Sequence, residues 1–196
     1  MSSESDAQPW IRAFIGIGIS DALRASLSDA QADLMQGGAQ FGWTRPENMH
    51  LTLVFLGNIG PEVVADLPGA LEEACGIGGP CACPVRGIGF FGGRRPRVIW
   101  AGVEDTAGRL DSLRRQIAET ATQVGIPLET KPYTPHITLG RSRSWRGAAE
   151  LAATVDRRRD LPLGELTIAR VTLYKSVLSP GGAVYSVLHE VELSSD

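Results

Sequence analysis

Apolar and polar residues alternate along several short segments, which is the pattern of half-buried β-strands. In residues 12–19, RAFIGIGI, the isoleucines share one face, and Phe14, Gly16 and Gly18 share the other. Glycines on a strand face indicate either that a neighbouring helix packs on them or that another group approaches the backbone closely. Further strands are predicted at residues 84–91, 97–103, 165–176 and 183–193.

Between these strands, apolar residues recur at helical spacing. Ser20 and Thr106 can each cap the start of a helix, and Gly125 can end one. Pro68 lies inside another helical pattern, where it predicts a break or a late start. Four helices are therefore predicted, over residues 20–36, 61–74, 106–124 and 147–156.

The order of these elements favours the α+β class. Helices and strands alternate irregularly, and the turn SPGG predicts a hairpin between the last two strands, so antiparallel pairing is expected. A chain of 196 residues can bury a core of its own. We predict a single domain over residues 1–196, with no linker.

One short pattern occurs twice. HLTL begins at His50 and HITL begins at His136, and each is preceded by a proline-containing segment and followed by a glycine. Because residues two apart in a strand point the same way, each histidine shares a face with its threonine, Thr52 or Thr138. The repetition predicts two similar lobes with one motif in each.

Composition narrows the class of protein. The net charge is −3, and 43% of the residues are apolar and 21% charged. These values are typical of a globular protein, and the negative charge argues against a protein that coats long nucleic acid. The start of the chain lacks a signal peptide pattern, and no apolar run approaches the length of a membrane span. We therefore predict a cytoplasmic monomer without membrane contacts.

Cysteines and arginines form two local clusters. The cysteines have the spacing C-x5-C-x-C in a Gly/Pro-rich segment, which favours reduced thiols over a disulfide framework or a zinc site. The arginines of GGRRPR could form a basic lip for RNA, although charges in such a loop are more often simply solvated. The residues are Cys75, Cys81, Cys83, Arg94, Arg95 and Arg97.

Two of the three histidines lie in the repeated motif. Imidazole titrates near neutrality, so one ring can take a proton from water while the other gives a proton to a leaving oxygen, as displacement at phosphorus requires. The threonine hydroxyls can donate hydrogen bonds to phosphate oxygens. A catalytic metal is the alternative, but Glu47 is the one carboxylate near either motif, so we identify no metal ligand set.

At these residues the chain resembles the 2H phosphoesterase superfamily, which is named for paired His-x-Thr/Ser motifs. Within it, FGWTRPENMHLTLVFLG, YTPHITLGR and LYKSVLSPGGAVYSVL resemble the RNA 2',3'-cyclic phosphodiesterases, historically described as 2'-5' RNA ligases. The resemblance implies two pseudo-symmetric lobes with antiparallel sheets flanking a central cleft and helices on the outer faces. It also implies hydrolysis of an RNA-terminal 2',3'-cyclic phosphate to a 2'-phosphate, with no cofactor.

The resemblance further implies a role for each motif residue. His50 would be the proton donor to the departing 3' oxygen, and His136 would be the proton acceptor that activates water. Thr52 and Thr138 would bind the phosphate. The two motifs are chemically alike, so the residues themselves leave the choice of acid and base open.

Four other residues are candidates for substrate binding. Phe14 lies on the glycine-rich strand face and could stack on a base or pack in the core. Arg45 precedes the first motif, and Tyr133 occupies a position where the family more often has phenylalanine. Arg141 resembles a phosphate-contacting arginine, but strict alternation points it away from His136 unless the strand ends near residue 140.

Two rival functions stay open. A related 2H enzyme would act on another cyclic nucleotide or on an ADP-ribose cyclic phosphate, or would form 2'-5' linkages between RNAs. A binding module would retain the nucleotide cleft without turnover, and loss of a motif histidine or threonine would be its expected mark. Neither motif has lost one.

Overall fold

The computed structural model describes residues 10–36, 41–75, 79–93, 96–127, 132–142, 148–180 and 182–194. Within these ranges the chain forms nine strands, four α-helices and a 3-10 turn at Pro46–Asn48. The strands are β1 (Ile11–Gly18), β2 (Phe41–Trp43), β3 (His50–Ile59), β4 (Cys81–Phe91), β5 (Val98–Val103), β6 (His136–Ser142), β7 (Pro162–Ile168), β8 (Arg170–Ser179) and β9 (Gly182–Glu192). The helices are α1 (Asp21–Met35), α2 (Pro61–Cys75), α3 (Arg109–Gln123) and α4 (Ala148–Asp156).

All nine strands belong to one sheet, and every pairing recorded among them is antiparallel. Their order is β7-β4-β5-β6-β3-β1-β8-β9, with β2 paired to β6. This confirms the α+β class. The sequence predicted two sheets, whereas the structure has two halves of one sheet, which meet where β3 pairs with β6. That residues 1–196 form a single bilobal domain stays a prediction.

The two halves repeat the same local pairing around the motif strands. In β1, Gly18 and Gly16 lie opposite the histidine and the threonine of the first motif. In β5, Gly102 and Trp100 lie opposite the histidine and the threonine of the second motif. The repetition seen in sequence therefore corresponds to a repetition of strand register.

Sequence signals located the helices but not all of their ends. Ser20 caps α1 as predicted, since the Leu23 N–H donates to its hydroxyl oxygen at 3.2 Å. This helix ends at Met35, one residue before the end predicted at residue 36. The third helix begins at Arg109 rather than Thr106. Gly108 is its N-cap residue. The Asp105 carboxylate accepts from the N–H groups of Leu110 and Asp111 in the first turn at 3.2 and 2.8 Å.

Two predicted elements are wrong. Helix α2 is not broken at Pro68. Leu67 and Leu71, on either side of this proline, are 0% and 1% exposed. Packing of these side chains in the core stabilises the helix although the proline has no backbone N–H to donate. The single strand predicted over residues 165–176 is two strands, β7 and β8, which pair at opposite ends of the sheet.

The core lies between the sheet and the helices. It joins strand residues such as Ile15 and Ile137 to helix residues such as Leu27 and Ile117. Helix α3 packs on β3 and α2, α1 on β7 and α4, α2 on β9, and α4 on β4. The motif side chains therefore lie on the face of the sheet that the helices leave open. Among the described helices, none is long and apolar enough to cross a membrane, and all three cysteines are free thiols.

Candidate active site

The two motif strands meet at one point. Leu51 of β3 pairs with Ile137 of β6, and both side chains are 0% exposed and point into the core. Because neighbours along a strand point to opposite faces, the residues on either side of this pair point into the open cleft. Continuing the antiparallel register by one residue places each motif histidine across from the threonine of the other motif. The four half-buried residues brought together are His50, Thr52, His136 and Thr138.

Both histidine rings are oriented by the same backbone contact. The Nδ1 of His50 lies 2.7 Å from the Asn48 carbonyl oxygen, and the Nδ1 of His136 lies 2.7 Å from the Thr134 carbonyl oxygen. A carbonyl can only accept, so each Nδ1 carries a hydrogen and donates it. In the neutral ring, Nε2 is then the basic nitrogen. In each neutral ring, the nitrogen that does not meet the carbonyl oxygen is thus the one able to accept a proton.

The two Nε2 atoms differ in their surroundings. The Nε2 of His50 lies 3.0 Å from the Thr52 hydroxyl oxygen, which can donate to the neutral ring and accept from the protonated one. For the Nε2 of His136, no partner is found within the described part of the chain. His136 is therefore the ring whose Nε2 is open to a water molecule.

Aromatic rings fix the position of His50. Phe14 stacks on its imidazole at 4.7 Å between ring centroids, and Tyr185 meets it edge-on at 5.2 Å. Tyr174 in turn stacks on Phe14 at 5.0 Å. Phe14 is 4% exposed in this structure, and its stacking on a base stays a prediction. Its ring packs beside His50.

Tyr174 and Tyr185 are site residues that sequence reasoning missed. They lie on β8 and β9, more than a hundred residues from the first motif. The signal available was their place in LYKSVLSPGGAVYSVL, one of the segments that carries the family resemblance. Local periodicity gives no sign that this hairpin returns to β1.

Different aromatic residues lie beside His136. Phe91 meets its ring edge-on at 5.0 Å, and Trp100 lies 6.3 Å away in a tilted arrangement. The indole needs the glycine on the neighbouring strand, since a Cβ atom at Gly89 would lie 2.3 Å from the Trp100 ring. The two histidines therefore share a backbone contact but not the same neighbours.

Gly16 allows the first motif to approach β1. A Cβ atom there would lie 2.6 Å from the Leu51 carbonyl oxygen and 3.5 Å from Cδ2 of His50. No other residue leaves this space. The sequence allowed two explanations for the glycines on this face of β1, a neighbouring helix or the close approach of another group to the backbone. At Gly16 the structure shows the close approach.

Arg141 lies close enough to both histidines to affect their titration. Burial lowers the pKa of His50 and of His136 below the ordinary value, and the positive charge of Arg141 lowers both further. The carbonyl contacts at Nδ1 oppose this by raising each pKa, and the charge of His136 adds to the lowering at His50. The net effect is a lowered pKa for each ring, which favours the neutral form.

A β-bulge explains how Arg141 faces the cleft. Strand β6 continues to Ser142, so a strand end near residue 140, the condition under which Arg141 was expected to face His136, is not present. Instead, Ile99 pairs with Gly140 and Trp100 pairs with Thr138, which leaves one extra residue in β6 between the two pairs. An extra residue shifts the alternation by one position. Arg141 therefore turns to the face that carries the second motif.

Tyr133 connects the two motifs. Its hydroxyl donates to the Thr52 carbonyl oxygen at 2.9 Å, and the Arg114 guanidinium lies 4.7 Å from its ring centroid. Burial raises the pKa of this phenol, so it stays a donor. The hydroxyl that sets Tyr133 apart from phenylalanine thus joins the segment before β6 to β3. A contact between Tyr133 and the substrate stays a prediction.

The remaining candidates surround the cleft. Arg45 is exposed and lines a cavity beside His50. Arg97 is exposed at the start of β5, whereas Arg94 and Arg95 lie outside the described residues, so the proposed basic lip is described only in part. In the described ranges, no group of three or more His, Cys, Asp or Glu side chains is arranged to bind a metal ion.

Comparison with protein families gives one match over most of the chain. The profile of the 2'-5' RNA ligase superfamily matches residues 21–179. A Thermotoga maritima protein is 32% identical over 183 residues, which cover 93% of this chain and 95% of the relative. A Methanothermobacter thermautotrophicus protein is 30% identical over 177 residues, covering 90% of this chain and 95% of the relative. Both relatives are known as RNA 2',3'-cyclic phosphodiesterases.

Solved structures share the fold. A crystal structure of a Thermus thermophilus protein superposes with a TM-score of 0.79 at 27% identity, over 93% of this chain and 98% of that one. E. coli LigT complexed with 3'-AMP superposes with a TM-score of 0.76 at 24% identity, over 95% of this chain and 100% of LigT. The described sheet and helices are therefore arranged as in these proteins.

Proposed function

The chain belongs to the 2'-5' RNA ligase superfamily, and from this premise we propose that it hydrolyses an RNA-terminal 2',3'-cyclic phosphate to a 2'-phosphate. Two relatives at 30% and 32% identity, whose matches cover 90% and 93% of this chain, are named RNA 2',3'-cyclic phosphodiesterases. The observation that carries the proposal is the pair of histidines on adjacent strands of one cleft, each fixed through Nδ1 by a carbonyl oxygen at 2.7 Å. This is the arrangement that in-line displacement with one acid and one base requires.

The proposed reaction uses one proton at each ring. The Nε2 of His136 takes a proton from water as the water oxygen attacks phosphorus, and the bond from phosphorus to the 3' oxygen breaks. Protonated His50 gives its Nε2 proton to that oxygen, which leaves as the 3' hydroxyl while the phosphate stays on the 2' oxygen. Exchange of protons with solvent then resets both rings.

Thr52, Thr138 and Arg141 stabilise the phosphate in this scheme. The threonine hydroxyls donate to non-bridging oxygens, and the guanidinium supplies positive charge where negative charge builds up. The pKa directions support this division. Burial and the nearby arginine lower the pKa values of both histidines. The negative charge of a bound phosphodiester would raise both pKa values again and so favour the protonated acid.

The test is product identification. A short RNA ending in a 2',3'-cyclic phosphate is incubated with the protein in the presence of EDTA, and the product is analysed by mass spectrometry and by phosphatase sensitivity. We expect a 2'-phosphate. A 3'-phosphate, or an intact cyclic phosphate at every pH from acid to neutral, would contradict the proposal and direct attention to other cyclic phosphates or to a nucleotide-binding module. We also propose that the chain acts as a cytoplasmic monomer, which size-exclusion chromatography with light scattering and cell fractionation would test.

A further inference from the structure

Arg114 approaches the first motif from the outer side of the sheet. It lies in the second turn of α3, the helix that packs on β3 and α2. Its side chain is half-buried, and its Nε atom is buried without a hydrogen-bond partner among the described residues. Burying a guanidinium N–H without a hydrogen bond costs free energy, so another contact must hold this side chain in place.

That contact is the ring of Tyr133. The guanidinium carbon of Arg114 lies 4.7 Å from the ring centroid. A cation over the face of an aromatic ring is attracted by the negative charge of that face, and the attraction grows where water is excluded. Burial raises the pKa of the Tyr133 hydroxyl, which shows that water is largely excluded here. Arg114 therefore fixes the plane of the ring, and the plane sets the direction in which the hydroxyl points.

The Tyr133 hydroxyl holds the backbone of the first motif at the residue that contacts the imidazole. It donates to the Thr52 carbonyl oxygen at 2.9 Å, and the Thr52 side-chain hydroxyl lies 3.0 Å from Nε2 of His50. The His50 ring itself is held from elsewhere, by the Asn48 carbonyl oxygen and by the Phe14 ring. The distance between the threonine hydroxyl and the imidazole therefore depends on both sets of contacts.

The charge of Arg114 does not reach the histidines directly. In the described part of the chain, Arg141 is the arginine whose charge lowers the pKa values of His50 and His136, and Arg114 is not among the groups that shift them. An effect of Arg114 on proton transfer must therefore pass through the geometry of Tyr133 and Thr52.

We propose that Arg114 is a positioning residue for the first motif, which acts through the Tyr133 ring on the Thr52 hydroxyl and so on Nε2 of His50. This inference rests on the proposed function. Without the cation, the ring tilts and the hydrogen bond to β3 weakens. The Thr52 hydroxyl then leaves the place from which it meets both the imidazole and the phosphate. Helix α3, on the outer face of the sheet, is thereby linked to the chemistry in the cleft.

The first test compares two substitutions of Arg114. Arg114→Met removes the cation and keeps a long side chain, whereas Arg114→Lys restores a cation. The matched control is Arg115→Met, because Arg115 carries the same charge on the next residue and its side chain is 60% exposed. Steady-state kinetics are measured on a short RNA that ends in a 2',3'-cyclic phosphate, and circular dichroism confirms that each variant is folded.

We expect Arg114→Met to lower kcat about three- to tenfold with KM changed by less than about twofold, because the substrate still binds but the acid is misplaced. Arg114→Lys should keep at least about half of the wild-type kcat, since an ammonium also binds an aromatic face. The control should match the wild type. A loss that lies in KM rather than kcat, or a lysine variant as slow as the methionine variant, would overturn the proposal.

A double-mutant cycle tests whether the effect passes through Tyr133. Tyr133→Leu removes the ring and its hydroxyl together, so the cation then has nothing to position. In this background Arg114→Met should lower kcat no further. A second fall as large as that seen with Tyr133 present would show that Arg114 acts by another route, and would overturn the proposal.

Nitrogen NMR of the imidazole rings separates this inference from the proposed function, since it needs no turnover. In Arg114→Met the Nε2 resonance of His50 should shift, that of His136 should shift less, and Arg115→Met should leave both in place. An unshifted His50 resonance overturns the proposal. A shifted resonance in a protein that hydrolyses no cyclic phosphate removes the proposed function and leaves the positioning of His50 standing. If Arg114→Met does not fold, Arg114→Gln takes its place with the same expectations.

Discussion

Single residues around the motifs decide what the two histidines can do. The hydrogen on each Nδ1 is assigned by a carbonyl oxygen, so the reactive nitrogen of each ring is Nε2. The pKa of each ring is lowered by burial and by the charge of Arg141. Removing a single neighbour is therefore expected to change the pH dependence without removing either histidine.

Arg141→Gln tests this electrostatic coupling. Loss of the guanidinium removes a positive charge that disfavours the protonated rings, so the pKa values of both histidines rise and the pH profile of kcat/KM moves to higher pH. Loss of the phosphate contact should also lower the maximum at least about tenfold. The measurement is kcat/KM for a cyclic-phosphate substrate across pH, with Arg115→Gln on the exposed side of α3 as the equal-charge control. A lower maximum at an unchanged pH would show that Arg141 does not set the pKa values.

Tyr133→Phe removes one buried hydrogen bond and nothing else. The Thr52 carbonyl oxygen loses its donor, which should reduce the free energy of unfolding by about 1 kcal/mol. Because that bond joins the segment before β6 to the first motif strand, we also expect kcat to fall a few-fold with little change in KM. Urea unfolding and steady-state kinetics measure the two effects. Unchanged stability would mean that the hydroxyl does not join the strands in solution.

At the scale of elements, the sequence predicted the features that depend on the spacing of apolar residues along one strand. It missed the features that depend on how two strands pair. Alternation correctly placed each histidine on one face with its threonine. It could not show the bulge in β6, because an extra residue is defined only against the partner strand β5. Alternation also predicted one strand across Ala169. The chain instead forms two strands on either side of that residue, of which β7 pairs with β4 and β8 pairs with β1.

Gly16→Ala tests the packing of the first motif strand on β1. The added methyl would meet a backbone oxygen, so β3 must shift, and we expect a loss of about 1–3 kcal/mol in stability together with a lower kcat. Gly69→Ala is the matched control. Nothing lies within 4 Å of a Cβ atom at this position in α2, so alanine there should stabilise the fold by about 0.5–1 kcal/mol. Thermal unfolding compares the two, and equal stability of both variants would contradict the packing described.

At the scale of the whole molecule, the repeated motif predicted two similar halves, and the sheet has them. Their junction at Leu51 and Ile137 is a long-range pairing that no local pattern reveals, and it makes one sheet where two were expected. The asymmetry of the site also comes from distant chain segments. The hairpin of β8 and β9 adds Tyr174, Tyr185 and part of the lining of the cavity beside His50 to one half alone.

The central claim is that both histidines act together in one reaction, and the rates of His50→Ala, His136→Ala and the double variant test it most directly. Each single variant should hydrolyse the RNA cyclic phosphate at least about 10²–10⁴-fold more slowly than the wild type, because either the acid or the base is missing. The double variant should be no more than about tenfold slower than the worse single variant, since residues that act as a unit are not additive. A single variant that retains close to the wild-type rate would contradict the two-histidine mechanism.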